Sequence, residues 1–168
     1  MSFTRQGDDA ETITQGFRRF PSGVAAVCAM VDGTPTGMAL SSFTPVSISP
    51  PLVSICPQAT SSTWPLLRIR PYLGISILAH DQIMLCRSLA SRKGNRFSDV
   101  DWESDEHGAV FIRGAVTQFS CRVRTEQSAG DHSLVLLEVQ SINTTNAAPL
   151  VYVDSGYRKL HVDQLVAN

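Results

Sequence analysis

The sequence predicts a mainly β protein, an antiparallel β-barrel with short helices appended, in a single domain. Two observations carry this prediction. About six or seven apolar runs have the length and alternation of strands, whereas two or three segments have helical periodicity. The strands follow one another in groups and do not alternate strictly with helices, which disfavours a doubly wound parallel sheet. The 168 residues suit one domain, residues 1–168, that buries a core without disulfides or metals.

The first element is an amphipathic helix at about residues 9–20. Ile13, Phe17 and Phe20 recur at i, i+4 and i+7, so they share one face, and acidic residues occupy the first turn. A Pro-Ser-Gly sequence at residues 21–23 ends the helix. We therefore expect a helix ahead of the barrel, and the barrel itself at about residues 24–160.

The elements of the barrel follow from local signals. Asp32-Gly33 favours a hairpin turn after the first strand, and Pro65 lies early in the first turn of a short helix. Gly114 marks a bulge in a long, bent strand. The predicted strands are 24–31, 52–56, 72–78, 109–129, 132–142 and, last, 149–154, with one more short strand that leads into the segment 37–51. The predicted helices are 64–70 and 80–91, and residues 92–108 are a long polar loop.

Charge and composition exclude several classes of partner. The formal net charge is −1, so no basic excess draws the protein to nucleic acid or to an anionic membrane. No apolar run approaches the ~20 residues of a membrane span, and the acidic N-terminus is not a secretory signal. Charged residues make up 17% of the chain, below the ~25% of an average domain, which indicates that an oligomer covers part of the surface.

The cysteines are interpreted as free thiols. They are widely spaced without a C-x-x-C pair, and three of them lie in apolar strand-like runs. A reducing compartment follows, with the cytoplasm as the default location. Neither H-E-x-x-H nor a Cys/His ligand spacing is present, so no metal site is expected. The four cysteines are Cys28, Cys56, Cys86 and Cys121.

The first candidate site is the neutral, hydroxyl-rich segment GMALSSFTPVSISPP at residues 37–51. Exposed loops usually carry charge and buried strands usually carry few hydroxyls. Ser41 and Ser42, beside small residues, therefore indicate a backbone that approaches a flat or anionic ligand, such as the edge of a heteroaromatic ring. The alternative is a serine-rich corner of the barrel that binds nothing.

The second candidate site binds an anion. Ser62 and Thr63 precede the predicted helix at residues 64–70, where free backbone N–H groups and a partial positive charge favour phosphate. Arg92, Lys93 and Arg96 form the densest basic cluster in the chain, and they are suited to neutralise a phosphate across a cleft. The alternatives are an ordinary helix cap and a solvated loop.

His132 is the third candidate. It lies in the sequence Gly130-Asp131-His132-Ser133, directly before an apolar strand. A histidine at such a turn hydrogen bonds to a cofactor or substrate, or donates a proton; the alternative is a surface turn residue. The chain contains no Rossmann fingerprint, no P-loop and no G-x-S-x-G elbow.

Six segments in order resemble the short-chain flavin reductases, the reductase components of two-component flavin-dependent monooxygenases. They are FRRFPSGVAAV, GMALSSFTPVSISPPLVSIC, SSTWPLL with ISIL, RKGNRFSDVDWE, GDHSLVLLEV and PLVYVDSGYRKL. The resemblance runs from about Phe17 to Leu160. It implies a flavin-binding split β-barrel that works as a homodimer. It also implies that the chain binds FMN or FAD, takes hydride from NADH or NADPH, and supplies reduced flavin to a partner monooxygenase.

The resemblance also implies a set of site residues. The isoalloxazine ring and ribityl chain would lie against residues 39–42, the phosphate would bind at the start of the short helix with help from the basic loop, and one histidine would serve the nicotinamide. The implied flavin-binding residues are Ala39, Leu40, Ser41, Ser42, Cys56, Ser62, Thr63, Lys93, Arg96 and Tyr157, and the implied catalytic residue is His132.

Two positions depart from the family pattern. Ala39 stands where the family usually has Thr, and Pro45 stands where it often has Ser, so a side-chain hydroxyl and a backbone donor are lost. We expect these changes to shift flavin affinity or the preference between FMN and FAD. The alternative functions are a non-catalytic flavin- or haem-binding split barrel, a related oxidase or deazaflavin-dependent reductase, and a structural dimer with a degenerate pocket.

Overall fold

A computed structural model describes residues 10–91 and 94–160 of the chain. Within these residues it contains three helices and twelve strands. In chain order they are α1 (Ala10–Arg18), β1 (Ser22–Gly23), β2 (Ala25–Val31), β3 (Thr34–Leu40), β4 (Thr44–Ile48), β5 (Pro51–Ile55), α2 (Trp64–Leu67), β6 (Leu73–Ile77), α3 (Ile83–Ala90), β7 (Trp102–Ser104), β8 (Val110–Ile112), β9 (Thr117–Ala129), β10 (His132–Thr144), β11 (Leu150–Val153) and β12 (Gly156–Lys159).

The strands form one large sheet and two small ones. The large sheet has seven strands in the order β3-β2-β6-β9-β10-β5-β4, and the small sheets have the orders β1-β11-β12 and β7-β8. All of the described strand pairings are antiparallel. The prediction of a mainly β, antiparallel architecture is therefore confirmed.

The large sheet surrounds one apolar core. β2 is buried on both faces, and its alternate residues Ala25, Val27 and Ala29 point into the same cluster as residues of β5, β6, β9 and β10. Because five strands contribute to one interior, the sheet curls into a barrel around it. Trp64 and Leu67 of α2 are buried in this cluster.

A second core lies on the other face of β2. There Ala26 and Cys28 pack with α3, with the β7–β8 ribbon and with Leu150 of β11. The ribbon lies tightly on β6, because a Cβ at Gly74 would overlap the backbone of Val110. The second core thus fixes α3, which carries the residues that precede the basic loop.

The predicted N-terminal helix is present as α1, but it buries none of its residues. Phe17 on the helix is 77% exposed and Phe20 just after it is 76% exposed, so both apolar side chains stay largely uncovered by the described residues. The Asp32-Gly33 turn between β2 and β3 is confirmed, with φ of 50° and 77°, as expected for a tight hairpin. The predicted helices at 64–70 and 80–91 are present in shorter form.

Three predictions about strands were wrong. The long strand at 109–129 is two strands, since Gly114 takes a positive φ of 73° and turns the chain between β8 and β9. The loop at 92–108 contains β7, which pairs with β8. The run at 149–154 is not the last strand, because Asp154 and Ser155, both at positive φ, make a turn into β12. The count of six or seven strands was therefore too low.

Candidate functional site

Several segments of the barrel meet around one groove, with a volume of about 530 Å³. They are the end of β3, the end of β5 with the turn after it, the start of α2, the end of α3 and the start of β10. A volume of this size is typical of sites for small molecules and cofactors. The lining residues are Met38, Ala39, Leu40, Ser41, Ser42, Cys56, Pro57, Gln58, Thr60, Ser61, Ser62, Thr63, Leu89, Ala90, Arg96 and His132.

The groove brings together most of the residues that the sequence predicted for the site. Among the described residues, one predicted site residue does not line the groove. Tyr157 lies in an adjoining recess of about 210 Å³, which shares Ala39, Leu40 and Ser41 with the groove. Lys93 lies outside the described residues, as does Arg92. The roles of all of these residues in binding remain predictions.

The β3–β4 corner forms the neutral wall of the groove. β3 lies close to β2 at Gly37, where a Cβ would overlap the Sγ of Cys28. At the corner the hydroxyl of Ser42 accepts the backbone N–H of Cys56 at 2.8 Å and donates to its carbonyl at 3.3 Å. Ser42 therefore ties the corner to the end of β5, whereas Ser41 is exposed.

The start of α2 forms the second wall. The hydroxyl of Ser61 accepts the backbone N–H groups of Thr63 at 3.3 Å and Trp64 at 3.1 Å. Ser61 thus satisfies donors that the helix start leaves free. The sequence pattern pointed to Ser62 and Thr63 and not to this role of Ser61. The available signal was a serine three positions before the first helical residue.

Arg96 brings positive charge into the groove from the polar loop. Its Nη1 donates to the hydroxyl of Thr63 at 2.8 Å and to the carbonyl of Gly37 at 2.9 Å. The hydroxyl of Ser88 donates to the Arg96 carbonyl at 3.0 Å, which anchors the loop to α3. A guanidinium has five N–H donors, so donors remain for an anion beside Thr63.

The His132 turn closes the groove on the side of β10. The Nδ1 of His132 lies 2.8 Å from Oδ1 of Asp131, and the hydrogen bond from His132 lowers the pKa of the Asp131 carboxyl. Backbone bonds from Ala59 to Asp131 and from Ser133 to Pro57, both 2.9 Å, join the turn to the segment after β5. With Nδ1 engaged by Asp131, Nε2 is the ring nitrogen suited to a ligand.

The recess beside the groove holds a tyrosine–thiol pair. The phenol oxygen of Tyr157 lies 3.2 Å from the Sγ of Cys86. Burial raises the pKa of Tyr157 to about 12, with the Cys86 contact contributing, and burial also raises the pKa of the Cys86 thiol. Both groups therefore stay protonated near neutral pH and are suited to packing and hydrogen bonding.

Within residues 10–91 and 94–160, no group of three or more His, Cys, Asp or Glu side chains is placed to hold a metal ion. No helix in that same part of the chain has the length and apolarity needed to cross a membrane. The four cysteines are unpaired.

The groove, the barrel and the order of motifs agree with the comparison with known proteins. A family model described as the flavin reductase like domain matches residues 17–161. The chain belongs to this family. The resemblance inferred from the six segments is therefore confirmed, and the split-barrel fold is shared with solved flavin reductases.

Three relatives illustrate the similarity of this flavin reductase-like chain to known proteins. The NADH-dependent FMN reductase SmoA of Agrobacterium fabrum is 32% identical, over 89% of the chain and 86% of the relative. Component B of a nitrilotriacetate monooxygenase from Mycobacterium thermoresistibile has a TM-score of 0.91 at 25% identity, over 96% and 92% of the two chains. The NADH:FAD oxidoreductase SgcE6 of Streptomyces globisporus, solved with NAD and FAD fragments, has a TM-score of 0.89 at 30% identity, over 97% and 99%.

The residues of the groove fit a flavin nucleotide. The wall at Ala39–Ser42 carries no charge, which suits a flat ring held by backbone groups. At the start of α2 the groove combines the hydroxyls of Ser62 and Thr63 with the guanidinium of Arg96, the donor set that phosphate prefers. A neutral wall joined to a cationic end matches a molecule that is aromatic at one end and anionic at the other.

Proposed function

We propose that the chain is an NAD(P)H-dependent flavin reductase that reduces FMN or FAD and supplies the reduced flavin to a partner monooxygenase. The observation that carries the proposal is a groove that combines a neutral wall with a cationic, hydroxyl-lined part, in a chain of the flavin reductase-like family. Several relatives are named as reductases or as monooxygenase components, which supports the proposal.

We assign the two ends of the flavin to the two ends of the groove. Residues Ala39–Ser42, with Leu40 among them and Cys56 behind Ser42, would hold the ring and the ribityl chain. Ser62, Thr63, Arg96 and Lys93 would hold the phosphate. Because Arg96 already binds Thr63 at 2.8 Å, the phosphate would meet a cation that is held in place before binding, which reduces the ordering cost.

A bound flavin supplies the redox chemistry, and the hydride comes from NADH or NADPH. The protein's part is to hold the two rings in contact and to exclude water. His132 lines the groove from the start of β10, and its Nδ1 lies 2.8 Å from Oδ1 of Asp131, which orients the ring. We assign it to the nicotinamide, as a hydrogen-bonding group that orients the hydride donor. Tyr157 would border the same site from the recess.

The proposed enzyme works as a homodimer. Phe17 and Phe20, on and after α1, are largely exposed. They line a cavity that also includes Ser41 and Ser42, so this apolar surface is continuous with the groove. A second copy that covers Phe17 and Phe20 would bury apolar area and complete the wall of the flavin site.

We place the enzyme in the cytoplasm, where its four cysteines, which form no disulfide, stay reduced.

Turnover of NADH or NADPH with free flavin tests the proposal. Purified protein is mixed with each nucleotide in the presence of FMN, FAD or riboflavin, and loss of the reduced-nicotinamide absorbance is followed. We expect oxidation of the nucleotide that depends on added flavin. Folded protein that binds flavin without turnover would support the non-catalytic alternative, and folded protein that neither binds nor turns over any of these flavins would contradict the proposal.

A further inference from the structure

One carboxylate on β9 contacts both ends of α2. The Oε1 of Glu126 accepts the indole N–H of Trp64 at 3.0 Å, and its Oε2 lies 3.2 Å from the Nη1 of Arg68. Trp64 begins the helix and Arg68 follows its last residue, so they lie one turn apart on the same side. The side chain of Glu126 is only 20% exposed. Its two oxygens therefore set the rotation of the helix about its own axis.

Such an external contact matters because α2 has only four residues. A helix of that length has no cooperative stability of its own, and its orientation depends on tertiary contacts. Burial of Trp64 and Leu67 in the barrel core holds α2 against the sheet. Apolar burial is non-directional, whereas two hydrogen-bonded oxygens are directional. Glu126 therefore supplies the directional contacts that orient α2.

The orientation of Trp64 is transmitted to the groove by short contacts. The backbone N–H of Trp64 binds the hydroxyl of Ser61 at 3.1 Å, and Thr63, between them, binds Arg96 at 2.8 Å. Arg96 in turn binds the carbonyl of Gly37 at 2.9 Å. A rotation of α2 would move the hydroxyl of Thr63 away from Arg96 and widen the cationic end of the groove.

We infer that Glu126 is a positioning residue for the flavin-phosphate end of the groove, acting through Trp64 on Ser61 and Thr63. The inference rests on the proposed function for its ligand, the flavin phosphate. Sequence gives no signal for it, because Glu126 lies 62 positions from Trp64 and belongs to none of the six family-like segments.

Glu138 is a matched control on the same hairpin. Glu138 of β10 forms an ion pair with Arg124 of β9 at 2.9 Å. Like Glu126, it is therefore a glutamate that pairs with an arginine. Neither Glu138 nor Arg124 lines the groove. Loss of the Glu138 pair therefore reports the general cost of removing an ion pair from this hairpin.

The test compares Glu126→Ala, Glu126→Gln and Glu138→Ala by their dissociation constants for FMN and for riboflavin, which has no phosphate. We expect Glu126→Ala to weaken FMN binding about tenfold, the size of one lost charged hydrogen bond, with riboflavin little changed. Glu126→Gln keeps an acceptor for the Trp64 indole, so it should retain most of the FMN affinity. Glu138→Ala should match wild type for both flavins.

Equal weakening of both flavins by Glu126→Ala, or no weakening of either, would overturn the inference. If Glu126→Ala does not fold, Trp64→Phe replaces it, because it keeps an aromatic ring in the core while it removes the indole donor and some ring volume. It should show the same selective loss for FMN, since lost core volume by itself does not discriminate between the two flavins. An unchanged ratio of FMN to riboflavin affinity in Trp64→Phe would overturn the inference as well.

A measurement without flavin separates this inference from the proposed function. The chain has two tryptophans, so in a Trp102→Phe background Trp64 is the only one. We expect Glu126→Ala to shift the emission of Trp64 relative to that background, and Glu138→Ala not to. An unshifted emission would overturn the positioning role even if the enzyme reduces flavin. If the Trp64 emission shift is present but the wild-type protein neither binds nor reduces flavins, the proposed function would be overturned instead.

Discussion

A methyl group added at Gly37 is expected to destabilise the barrel where it supports the groove. Gly37 lies opposite Cys28 in the β2–β3 pair. The Cβ of an alanine there would overlap the Sγ of Cys28 and would lie 3.1 Å from both the Cζ of Phe97 and the carbonyl oxygen of Val27. The backbone φ of Gly37 is not positive, so the cost of Gly37→Ala is steric.

Two effects of opposite sign decide the magnitude. Replacing glycine restricts the unfolded chain, which stabilises the fold by about 0.4–1 kcal/mol. Overpacking a buried site costs about 1–3 kcal/mol. Cys28 is fully buried and the oxygen of Val27 belongs to the backbone of β2, so neither can move away easily. We therefore expect a net loss of ~1–2 kcal/mol in the free energy of unfolding.

Urea denaturation of wild type, Gly37→Ala, Cys28→Ala, the double variant and one control measures this loss. Gly16→Ala is the control, since a Cβ at Gly16 meets nothing within 4 Å and alanine favours the helix by up to ~1 kcal/mol. In the double variant Gly37→Ala/Cys28→Ala the overlap with sulfur is removed, so the two substitutions should couple favourably by about 1 kcal/mol. Part of the cost remains, because Val27 and Phe97 are still close.

Two results would refute this reasoning. One is a Gly37→Ala variant as stable as wild type, which would mean that β3 separates from β2 at no cost. The other is strict additivity of Gly37→Ala and Cys28→Ala, which would show that the sulfur is not the obstacle. Because Ala39 and Leu40 belong to β3 and line the groove, a genuine displacement of the strand should also weaken flavin binding.

Four further predictions concern the site, the dimer and pH. Arg96→Ala should weaken FMN at least tenfold, a loss of about 1.5–3 kcal/mol, and riboflavin less, since it removes the cation proposed for the phosphate. Equal losses measured by flavin titration would show that Arg96 acts through its bonds to Thr63 and Gly37 instead. His132→Ala should lower kcat/KM for NADH about tenfold, ~1.4 kcal/mol, with flavin affinity unchanged, and stopped-flow reduction as fast as wild type would remove His132 from the mechanism. Phe17→Ser with Phe20→Ser should shift light scattering toward monomer and weaken flavin binding, whereas an unchanged dimer would place the interface elsewhere. Burial alone would raise the pKa of Glu126, but the bond from Trp64, the nearby Ser133 and the charge of Arg68 together lower it from 4.5. The stabilisation from its charge is therefore complete above pH 4.5 and is lost as pH falls through the folded pKa, so the stability gap between wild type and Glu126→Gln should close in acid; a gap that widens would contradict the assignment.

Local chemistry determined much of this protein's architecture from the sequence alone. The apolar runs of β2, β5 and β10, the Asp32-Gly33 turn and the absence of strict β-α alternation were enough for a mainly antiparallel fold. The order of six motifs was enough for the family. The segments that came together around the groove were marked by their composition, because a neutral serine-rich stretch and a charged loop are unusual beside apolar strands.

Other features depended on contacts between distant residues. The sequence predicted a bulge at Gly114, but the residue lies in a turn. Glycine permits both conformations, and only the pairing of β7 with β8 decides between them. The sequence predicted α1 as an ordinary amphipathic helix, but its apolar face is exposed. Periodicity shows that a helix face is apolar, but it does not show what covers that face.

The geometry of the site was decided in the same way. Sequence placed a cation in the loop, but the bonds of Arg96 to Thr63 and Gly37, 33 and 59 positions away, exist only in the folded barrel. The bond from Trp64 to Glu126 is of the same kind. Patterns in sequence report the environment of a residue through its neighbours along the chain, whereas directional contacts across the groove depend on strand register, which is set only when the whole sheet closes.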